Sequence, residues 1–343
     1  MRVLTRAHPF FAIALGLAAL SPISCAGGTE PAPAPSASQA PSANAIAREK
    51  LNKLCEESLR KLPGKPTVAD GISQICRESA QIPDCLSNHG TPIFHWERGE
   101  NVRPKPNEKV DDKALRILVF GLIHGDEPES GSLVRLWSER LTRFMPHNSW
   151  RVVPILNPDG WEKHTRTNAH GVDINRNFPT KDFGTHALTH WERDMKKNPR
   201  RFPGKEAASE PETKCALAQV EDFKPDFVIS VHTPYGLLDL DGPEAGQVKG
   251  KFPLPWKRLG TLPGSLGRYL WDERNLPVLT IELKGHEPLQ QKQKFEFLQD
   301  EMSRVFWATT DGKNPAREAA AKPESQISAR DKVGSSSSSP QPR

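Results

Sequence analysis

The sequence predicts an α/β protein: a three-layer α/β/α sandwich around a central mixed, mostly parallel sheet, with a small helical segment ahead of it. Two observations carry this prediction. Short runs of branched apolar residues, the pattern of buried strands, alternate with segments of helical periodicity. Several of these runs stop at polar residues with catalytic chemistry. Because sites in such sheets form at the carboxyl ends of strands, we expect a site built from the residues that end them.

The N-terminus predicts an export signal. Arg2 and Arg6 precede the apolar run from Phe10 to Ile23, which is short for a membrane span and has the length of a signal-peptide core. Residues 1–25 are therefore predicted to be a signal peptide. We expect the protein to be exported and periplasmic.

The signal ends in "SPISC", which resembles a bacterial lipoprotein processing site with Cys25 as the lipid-bearing residue. Pro22 stands where such sites normally have Leu, so the alternative is simple cleavage near Ala26. Residues 26–45 are rich in Pro, Ala and Ser and predict a linker. A lipid anchor at Cys25 would make the protein a membrane-anchored lipoprotein.

Residues 46–107 predict a small helical segment that contains cysteines. Apolar residues recur at three and four from Ile46 to Leu62, which predicts an amphipathic helix ended by Pro63 and Gly64. A second short helix is predicted from Val68 to Ala80. The sequence leaves two roles open for this segment, an inhibitory pro-segment or a structural flank.

Four cysteines remain after Cys25, and an even number in an exported protein predicts two disulfides. One pairing would join Cys76 to Cys85 in a short loop and Cys55 to Cys215 across the chain, but the sequence permits three pairings. No Cys-x-x-Cys pair exists, which disfavours a cysteine-ligated metal site.

Residues 108–311 are predicted to be the catalytic domain. Its first buried strand is the apolar first half of "ILVFGLIHGDE", Ile117 to Glu127, whose second half is a turn, and a helix with one apolar face follows from Glu129 to Phe144. Further strands are predicted at Val152 to Leu156, Asp226 to His232 and Pro277 to Leu283. This alternation of strands and helices is the basis of the predicted sandwich.

Composition excludes several classes of function. With 36% hydrophobic residues and no long internal apolar run, the mature chain should have no transmembrane helix. The net charge is +5, but Lys and Arg are spread along the chain without basic blocks, so we expect no nucleic-acid partner. Residues 312–343 are a low-complexity polar stretch and predict a disordered tail.

The turn after the first strand carries His124 and Glu127, three residues apart, a spacing that can aim an imidazole and a carboxylate at one metal ion. With 11 His and 42 acidic residues in the chain, this pair alone is expected by chance. Two other predicted strands supply the further groups that a metal site would need, because one ends at His232 and another at Glu282.

Two histidines and one carboxylate form a catalytic zinc set that leaves a coordination position for water. A further carboxylate beside that water can take its proton and pass it to a leaving amine. The loop "TRTNAHGVDINRNFP" adds Arg166, Asn175 and Arg176. Its two arginines are suited to stabilising a developing oxyanion and to gripping a carboxylate. We therefore predict one Zn²⁺ ion as the cofactor.

The motifs "HGDE", "NPDG", "GVDINRNF", "SVH" and "TIEL" occur in this order between Leu115 and Phe306. In this combination the chain resembles the zinc carboxypeptidases related to carboxypeptidase A. The resemblance implies the following roles: His124, Glu127 and His232 bind zinc, Glu282 is the general base and acid, Arg166 stabilises the oxyanion, and Asn175 with Arg176 holds the substrate's carboxylate.

Within that family, "TRTNAHGVDINRNFP" and "HTPYGLLDLDGP" are similar to the bacterial murein peptide amidase A group. Members of that group cut the bond between γ-D-glutamate and meso-diaminopimelate in cell-wall peptides, so the resemblance implies a peptidoglycan-derived peptide substrate. The alternatives are a carboxypeptidase acting on protein or peptide C-termini, a deacylase of N-acyl amino acids, and a non-catalytic cell-wall binding lipoprotein.

The chain departs from the animal carboxypeptidases in lacking the tyrosine that caps the substrate there. Only Tyr235 and Tyr269 are present. We predict that Tyr235 fills part of this substrate-binding role, with core packing or a loop contact as the alternative. Asp126 is either an acceptor that orients a ligand histidine or a turn residue. Asp239 and Asp241 either face the site and bind a substrate ammonium group or belong to a plain loop.

Overall fold

The fold is given by a computed structural model that describes residues 43–99, 113–243 and 251–320. The predicted signal peptide, the lipid anchor at Cys25 and nearly all of the predicted linker lie outside these ranges. So do the end of the predicted tail, from residue 321, and the junction between the predicted N-terminal segment and catalytic domain.

A six-stranded sheet forms the middle layer, in the order β1-β3-β2-β4-β6-β5. The four inner strands are parallel to one another, and the two outermost strands, β1 and β5, pair antiparallel with their neighbours. This arrangement confirms the predicted mixed, mostly parallel sheet. The strands are β1 (Trp96–Arg98), β2 (Arg116–Phe120), β3 (Ser149–Val153), β4 (Phe227–His232), β5 (Leu237–Asp241) and β6 (Val278–Glu282).

Helices surround the sheet. The α-helices of the described ranges are α1 (Ala43–Lys61), α2 (Gly71–Glu78), α3 (Pro128–Leu141), α4 (Pro158–Lys163), α5 (Leu188–Arg193), α6 (Pro211–Phe223), α7 (Leu266–Arg268), α8 (Glu287–Gln290), α9 (Lys292–Asp300), α10 (Met302–Thr309) and α11 (Pro315–Ala320). A one-turn 3₁₀-helix covers Ile174–Arg176 and another Pro199–Arg201. None of the helices in these ranges is long and apolar enough to span a membrane.

Strand β2 shows why the protein has three layers. Successive side chains of a strand point to opposite faces, and here both sets are buried. Ile117 and Val119 pack in one hydrophobic cluster, whereas Leu118 and Phe120 pack in the other. Helix α3 contributes to the first cluster and α6 to the second, so each face of the sheet is covered.

Two strands differ from their predictions. Strand β3 ends at Val153 because Pro154 has no amide hydrogen to continue a sheet ladder. Strand β5 was not predicted, since its sequence "LLDLD" carries two aspartates that favour loops. It forms as an edge strand against β6, so the plain-loop interpretation of Asp239 and Asp241 is wrong.

The expectation of a disordered tail from residue 312 is also wrong at its start. Residues Pro315–Ala320 form α11, and two side chains fasten this part of the chain to the sheet. Asn314 Nδ2 donates to Asp226 Oδ1 at 2.9 Å, and Arg317 Nη2 contacts Asp226 Oδ2 at 2.7 Å. The start of this low-complexity stretch thus forms a partly buried ion pair that its composition does not reveal.

The predicted N-terminal helices are present, with α1 beginning at Ala43 rather than Ile46. A buried arginine of α3 holds the end of α1. The guanidinium of Arg135 donates hydrogen bonds of 2.7–2.9 Å to the carbonyl oxygens of Leu59, Leu62, Pro63 and Gly64. Carbonyl groups in the last turn of a helix and just past its end have no partner within the helix, and here Arg135 donates to them.

Both predicted disulfides exist, and their pairing is Cys55–Cys76 and Cys85–Cys215. The pairing considered from the sequence, Cys76 with Cys85, is therefore not the one adopted. The first disulfide joins α1 to α2. The second ties the loop before β1 to α6 across a sequence separation of 130 residues.

Candidate active site

The sheet brings the predicted site residues together at the carboxyl ends of its parallel strands. His232 is the last residue of β4 and pairs in register with Glu282, the last residue of β6. His124 lies four residues past the end of β2, which runs parallel to β4 on its other side. Three neighbouring strands therefore deliver one side chain each to the same edge, as the sequence predicted.

The turn between β2 and α3 positions His124 and Glu127. The Glu127 amide donates to the His124 carbonyl at 3.2 Å. Ser130 Oγ accepts from the Leu122 amide at 2.9 Å and donates to the Glu127 carbonyl at 2.7 Å, so one hydroxyl closes the turn from inside. Pro128 at the first position of α3 has a backbone angle suited to beginning the helix there.

Three side chains meet at the centre of the site. His124 Nδ1 lies 2.9 Å from Glu127 Oε1 and 3.2 Å from His232 Nδ1, and His232 Nδ1 lies 3.1 Å from Glu127 Oε2. All three residues are buried. In a tetrahedral zinc site with bonds of about 2.0–2.1 Å, ligand atoms are roughly 3.4 Å apart, close to these separations.

The other nitrogen of each imidazole has a partner of its own. His124 Nε2 lies 3.1 Å from Asp173 Oδ1, and His232 Nε2 lies 2.8 Å from Ser230 Oγ. With the proton on each Nε2, both Nδ1 atoms present a lone pair toward Glu127, as metal ligands require. Because two lone pairs and a carboxylate converge on one point, the residues fit a zinc ion held by His124, Glu127 and His232.

Charge around this centre keeps its carboxylates ionised. Burial alone would raise the pKa of Asp173, but the charge of Arg166 and the hydrogen bond with His124 outweigh it and hold that pKa well below its usual range. Burial likewise opposes ionisation of Glu127, whose pKa His124 and His232 nevertheless lower. Arg166 bridges both carboxylates, with Nε 2.9 Å from Asp173 Oδ2 and Nη1 3.2 Å from Glu127 Oε1.

Glu282 differs from Asp173 and Glu127 in that its pKa is raised above the ordinary value. It is only 7% exposed, and burial raises its pKa, which the negative charge of Glu127 raises further against the effects of His232 and Arg166. Its hydrogen-bond partner is the Tyr235 amide, which donates to Oε2 at a long 3.4 Å. A carboxylate with a raised pKa and weak partners is suited to receiving and releasing a proton.

A cavity of about 740 Å³ opens over these groups. Every site residue predicted from the sequence lines it: His124, Glu127, Arg166, Asn175, Arg176, His232, Tyr235 and Glu282.

Asn175 and Arg176 reach the cavity on the 3₁₀-helix Ile174–Arg176. Asn175 Oδ1 accepts from the Leu266 amide at 2.9 Å, and Arg176 Nη1 donates to the Asn175 carbonyl at 2.6 Å. Burial, opposed by Asp173 and reinforced by the charges of Arg166 and Arg201, lowers the pKa of Arg176 to about 10, so the side chain is charged at neutral pH.

The chain crosses very close behind Arg176. Gly264 has φ of +75°, and a Cβ at this position would lie 1.9 Å from the Arg176 carbonyl oxygen, so only glycine fits.

Tyr235 lines the cavity with 59% of its surface exposed, which contradicts core packing as its role. Tyr269 is elsewhere: its ring stacks on Phe178, and its hydroxyl accepts from Arg274. The loop that precedes "PGSLG" contributes Leu259 and Leu262 to the cavity wall in place of a tyrosine.

Asp239 and Asp241 both face the cavity from β5. Burial raises the pKa of each, and the charges of Asp239 and Asp272 contribute to a pKa of about 7 for Asp241. A Cβ at Gly267 would lie 1.7 Å from Asp241 Oδ2, so this glycine leaves the space the carboxylate occupies.

Sequence reasoning missed several residues of the site. Asp173, which is fully buried, orients His124, whereas Asp126 points to Arg200, with 2.6 Å between Arg200 Nη2 and Asp126 Oδ2. The position of Asp173 inside "GVDINRNF" was the available signal. Arg200 and Arg201 also line the cavity, but nothing in "NPRRFPG" places that loop over strand ends distant in the chain.

Comparison with known proteins agrees with this geometry. Residues 116–238 match the family model described as zinc carboxypeptidase. Murein peptide amidase A of Escherichia coli K12 is 30% identical over 209 residues, which cover 58% of this chain and 83% of that protein. Murein peptide amidase A of Vibrio campbellii is 32% identical over 180 residues, covering 49% of this chain and 69% of that protein.

A solved structure extends the likeness in fold. Bovine thrombin-activatable fibrinolysis inhibitor, in a complex with a tick carboxypeptidase inhibitor, superposes with a TM-score of 0.51 at 15% identity, covering 78% of this chain and 97% of that chain.

The family model, the similar amidases and the three-ligand centre together show that the protein is a hydrolase, a metallopeptidase with zinc as its cofactor. By its sequence and by its three-ligand centre, the chain belongs to the zinc carboxypeptidase family.

Proposed function

We propose that this protein hydrolyses cell-wall peptides at the bond between γ-D-glutamate and meso-diaminopimelate. The observation that carries the proposal is the charge distribution of the cavity. Arginines line it together with Asp239 and Asp241, so one cavity offers partners for carboxylates and for an ammonium group. Diaminopimelate carries both kinds of group. Two similar proteins named murein peptide amidase A support the same substrate class.

Different residues of the chain have different roles in the proposed hydrolysis. A bound zinc ion would polarise the scissile carbonyl and make the attacking water more acidic. Glu282 takes the proton of that water and delivers it to the leaving amine, for which its raised pKa suits it. Arg166, fixed by two carboxylates, donates to the oxyanion that develops on the scissile carbonyl.

Substrate binding falls to residues farther along the cavity. Arg176, assisted by Asn175, holds a carboxylate of the residue to be released. Asp239 and Asp241 bind its ammonium group, and that bound cation would offset the cost of burying both carboxylates. Tyr235, exposed at the mouth, packs against the peptide.

The test is hydrolysis of defined peptides by the zinc-loaded protein. The tripeptide L-Ala-γ-D-Glu-meso-diaminopimelate should release diaminopimelate, detected by mass spectrometry, faster than peptides of L-amino acids release their last residue. Faster cleavage of the L-peptides would favour a general metallocarboxypeptidase instead. Hydrolysis of small N-acyl amino acids alone would favour a deacylase, and bound zinc without any turnover would favour a binding protein.

Glu282→Gln provides the mechanistic control. Because glutamine cannot accept the proton, kcat should fall by about 10²- to 10⁴-fold. The zinc content, measured by metal analysis, should stay the same. Full activity of this variant on every cleavable substrate would overturn the proposed role.

We further propose that the protein is exported to the periplasm and anchored through a lipid on Cys25. Two disulfides in the described chain support an oxidising compartment. The mass of the N-terminal peptide of the mature protein decides the anchor, since lipidation would leave an acylated Cys25 as the first residue, whereas simple cleavage near Ala26 would give an N-terminal peptide without acyl chains.

A further inference from the structure

Two consecutive arginines on the 3₁₀-helix Pro199–Arg201 line the active-site cavity in different states. Arg200 is mostly exposed and its guanidinium is held by Asp126 at 2.6 Å. Arg201 is half-buried, and its guanidinium has no hydrogen-bond or ion-pair partner among residues 43–99, 113–243 and 251–320. A half-buried guanidinium facing a cavity without a partner is costly, which suggests that a ligand supplies the missing acceptor.

Arg201 also lies close to another cation. Its charge contributes to the lowered pKa of Arg176, so the two positive groups repel each other in the free protein. The nearby carboxylate cannot serve both, because Asp173 already binds Arg166 through Oδ2 and His124 through Oδ1. If a ligand placed only one carboxylate between Arg176 and Arg201, its single negative charge would not neutralise both guanidinium groups.

From this arrangement we propose that Arg201 binds a second carboxylate of the residue that Arg176 holds, and so selects substrates that release a dicarboxylic amino acid. The inference rests on the proposed function and deepens it. Diaminopimelate has a carboxylate at each end, whereas lysine, otherwise the same skeleton, has one. Arg201 is thereby a specificity-determining residue, separate from the groups that perform the hydrolysis.

The experiment compares two murein tripeptides that differ in this carboxylate alone, one ending in meso-diaminopimelate and the other in L-lysine. The wild-type protein should favour the diaminopimelate peptide. In Arg201→Gln, kcat/KM for that peptide should fall about 10- to 100-fold, mainly through KM, because a charge-assisted hydrogen bond to the substrate is lost. Activity on the lysine peptide should remain, so the preference should disappear.

Two further variants separate binding from general charge effects. Arg193→Gln removes the same charge from α5, where Arg193 is exposed and does not line the cavity, and should behave as wild type on both peptides. Arg201→Lys keeps the charge without the planar fork and should recover part of the preference. Thermal melting of each variant shows whether it is folded.

A binding measurement makes the outcome independent of turnover. Titration calorimetry of the zinc-loaded protein with free meso-diaminopimelate and L-lysine should show tighter binding of the dicarboxylate in wild type, and no such difference in Arg201→Gln. Equal binding of the two by wild type, or equal losses for both in the folded variant, would overturn the role of Arg201. Failure to cleave either tripeptide would overturn the proposed function, while the calorimetry would still decide on Arg201.

Discussion

At the scale of single residues, the buried Asp173 contributes to the site by orienting two other side chains, His124 and Arg166. Its carboxylate contacts His124 through Oδ1 and Arg166 through Oδ2, and so it sets the proton position of the imidazole and the plane of the guanidinium. Its ionised state is secured by the same contacts, because Arg166 and His124 overcome the cost of burying it. One carboxylate thus orients a metal ligand and the arginine expected to stabilise the oxyanion.

We expect Asp173→Asn to weaken zinc binding by about 10- to 100-fold, because an amide is a poorer acceptor for the His124 N–H and makes the imidazole less basic. Competition with a chelator of known affinity measures the change. Asp126→Asn is the matched control: it lies beside the site but bonds Arg200, and should alter zinc affinity little. Equal losses in both variants would contradict the assignment.

Asp241 should make stability depend on pH. Burial and neighbouring carboxylates raise its folded-state pKa to about 7 from an ordinary value near 4. Folding therefore favours the protonated carboxyl, so the cost of ionising Asp241 is absent below about pH 4, grows as pH rises and is complete above about pH 7.

Asp241→Asn should consequently melt at a higher temperature than wild type at pH 8, and the difference should shrink to nothing near pH 4. Differential scanning calorimetry across this range tests it. Glu57→Gln, an exposed change in α1, should show no such trend. A variant that is less stable at pH 8 would mean that the carboxylate is well paired in the free protein.

At the scale of elements, the sequence predicted the parts of the site that depend on local patterns. His124, His232 and Glu282 end or closely follow apolar runs, and a parallel sheet necessarily places such ends at one edge. Arg201 and Asp241 could not be placed in this way. Arg201 sits on the one-turn 3₁₀-helix Pro199–Arg201, and Asp241 on an edge strand whose aspartates are typical of loops, so their positions depend on contacts distant in the chain.

The contact between α1 and α3 should be important for stability. Arg135 is buried, satisfies four carbonyls and lies 3.3 Å from the buried Glu139 carboxylate. Arg135→Met would remove the positive charge that faces Glu139 and the donors to these carbonyls, although Pro63 would keep its hydrogen bond from Ser132 and Glu139 those from Thr67 and Val68. We expect a loss of about 3–5 kcal/mol in the free energy of unfolding, measured with urea. Arg143→Met, an exposed change just past α3, should cost little. Adding Glu139→Gln to Arg135→Met should recover part of the loss.

At the scale of the whole molecule, the N-terminal helices share a core with the sheet. Cys55, Leu59 and Ile72 belong to the same hydrophobic cluster as Ile117 and the α3 residues. No residue of the described range 43–99 lines the active-site cavity. Both observations favour the structural flank over the inhibitory pro-segment that the sequence left open.

Zinc should stabilise the whole molecule, because the three ligand side chains converge only when the strands carrying them are assembled. A ligand that binds only the folded state at 100 times its dissociation constant adds about 2.7 kcal/mol. For a domain of this size that corresponds to a rise in melting temperature of roughly 5–10 °C. Scanning calorimetry before and after chelation, and after zinc is restored, measures the shift.

His232→Ala should abolish the zinc-dependent shift, whereas His186→Ala, which changes an exposed histidine away from the cavity, should preserve it. A melting temperature that ignores zinc while metal analysis records its loss would place the ion outside the His124, Glu127 and His232 centre.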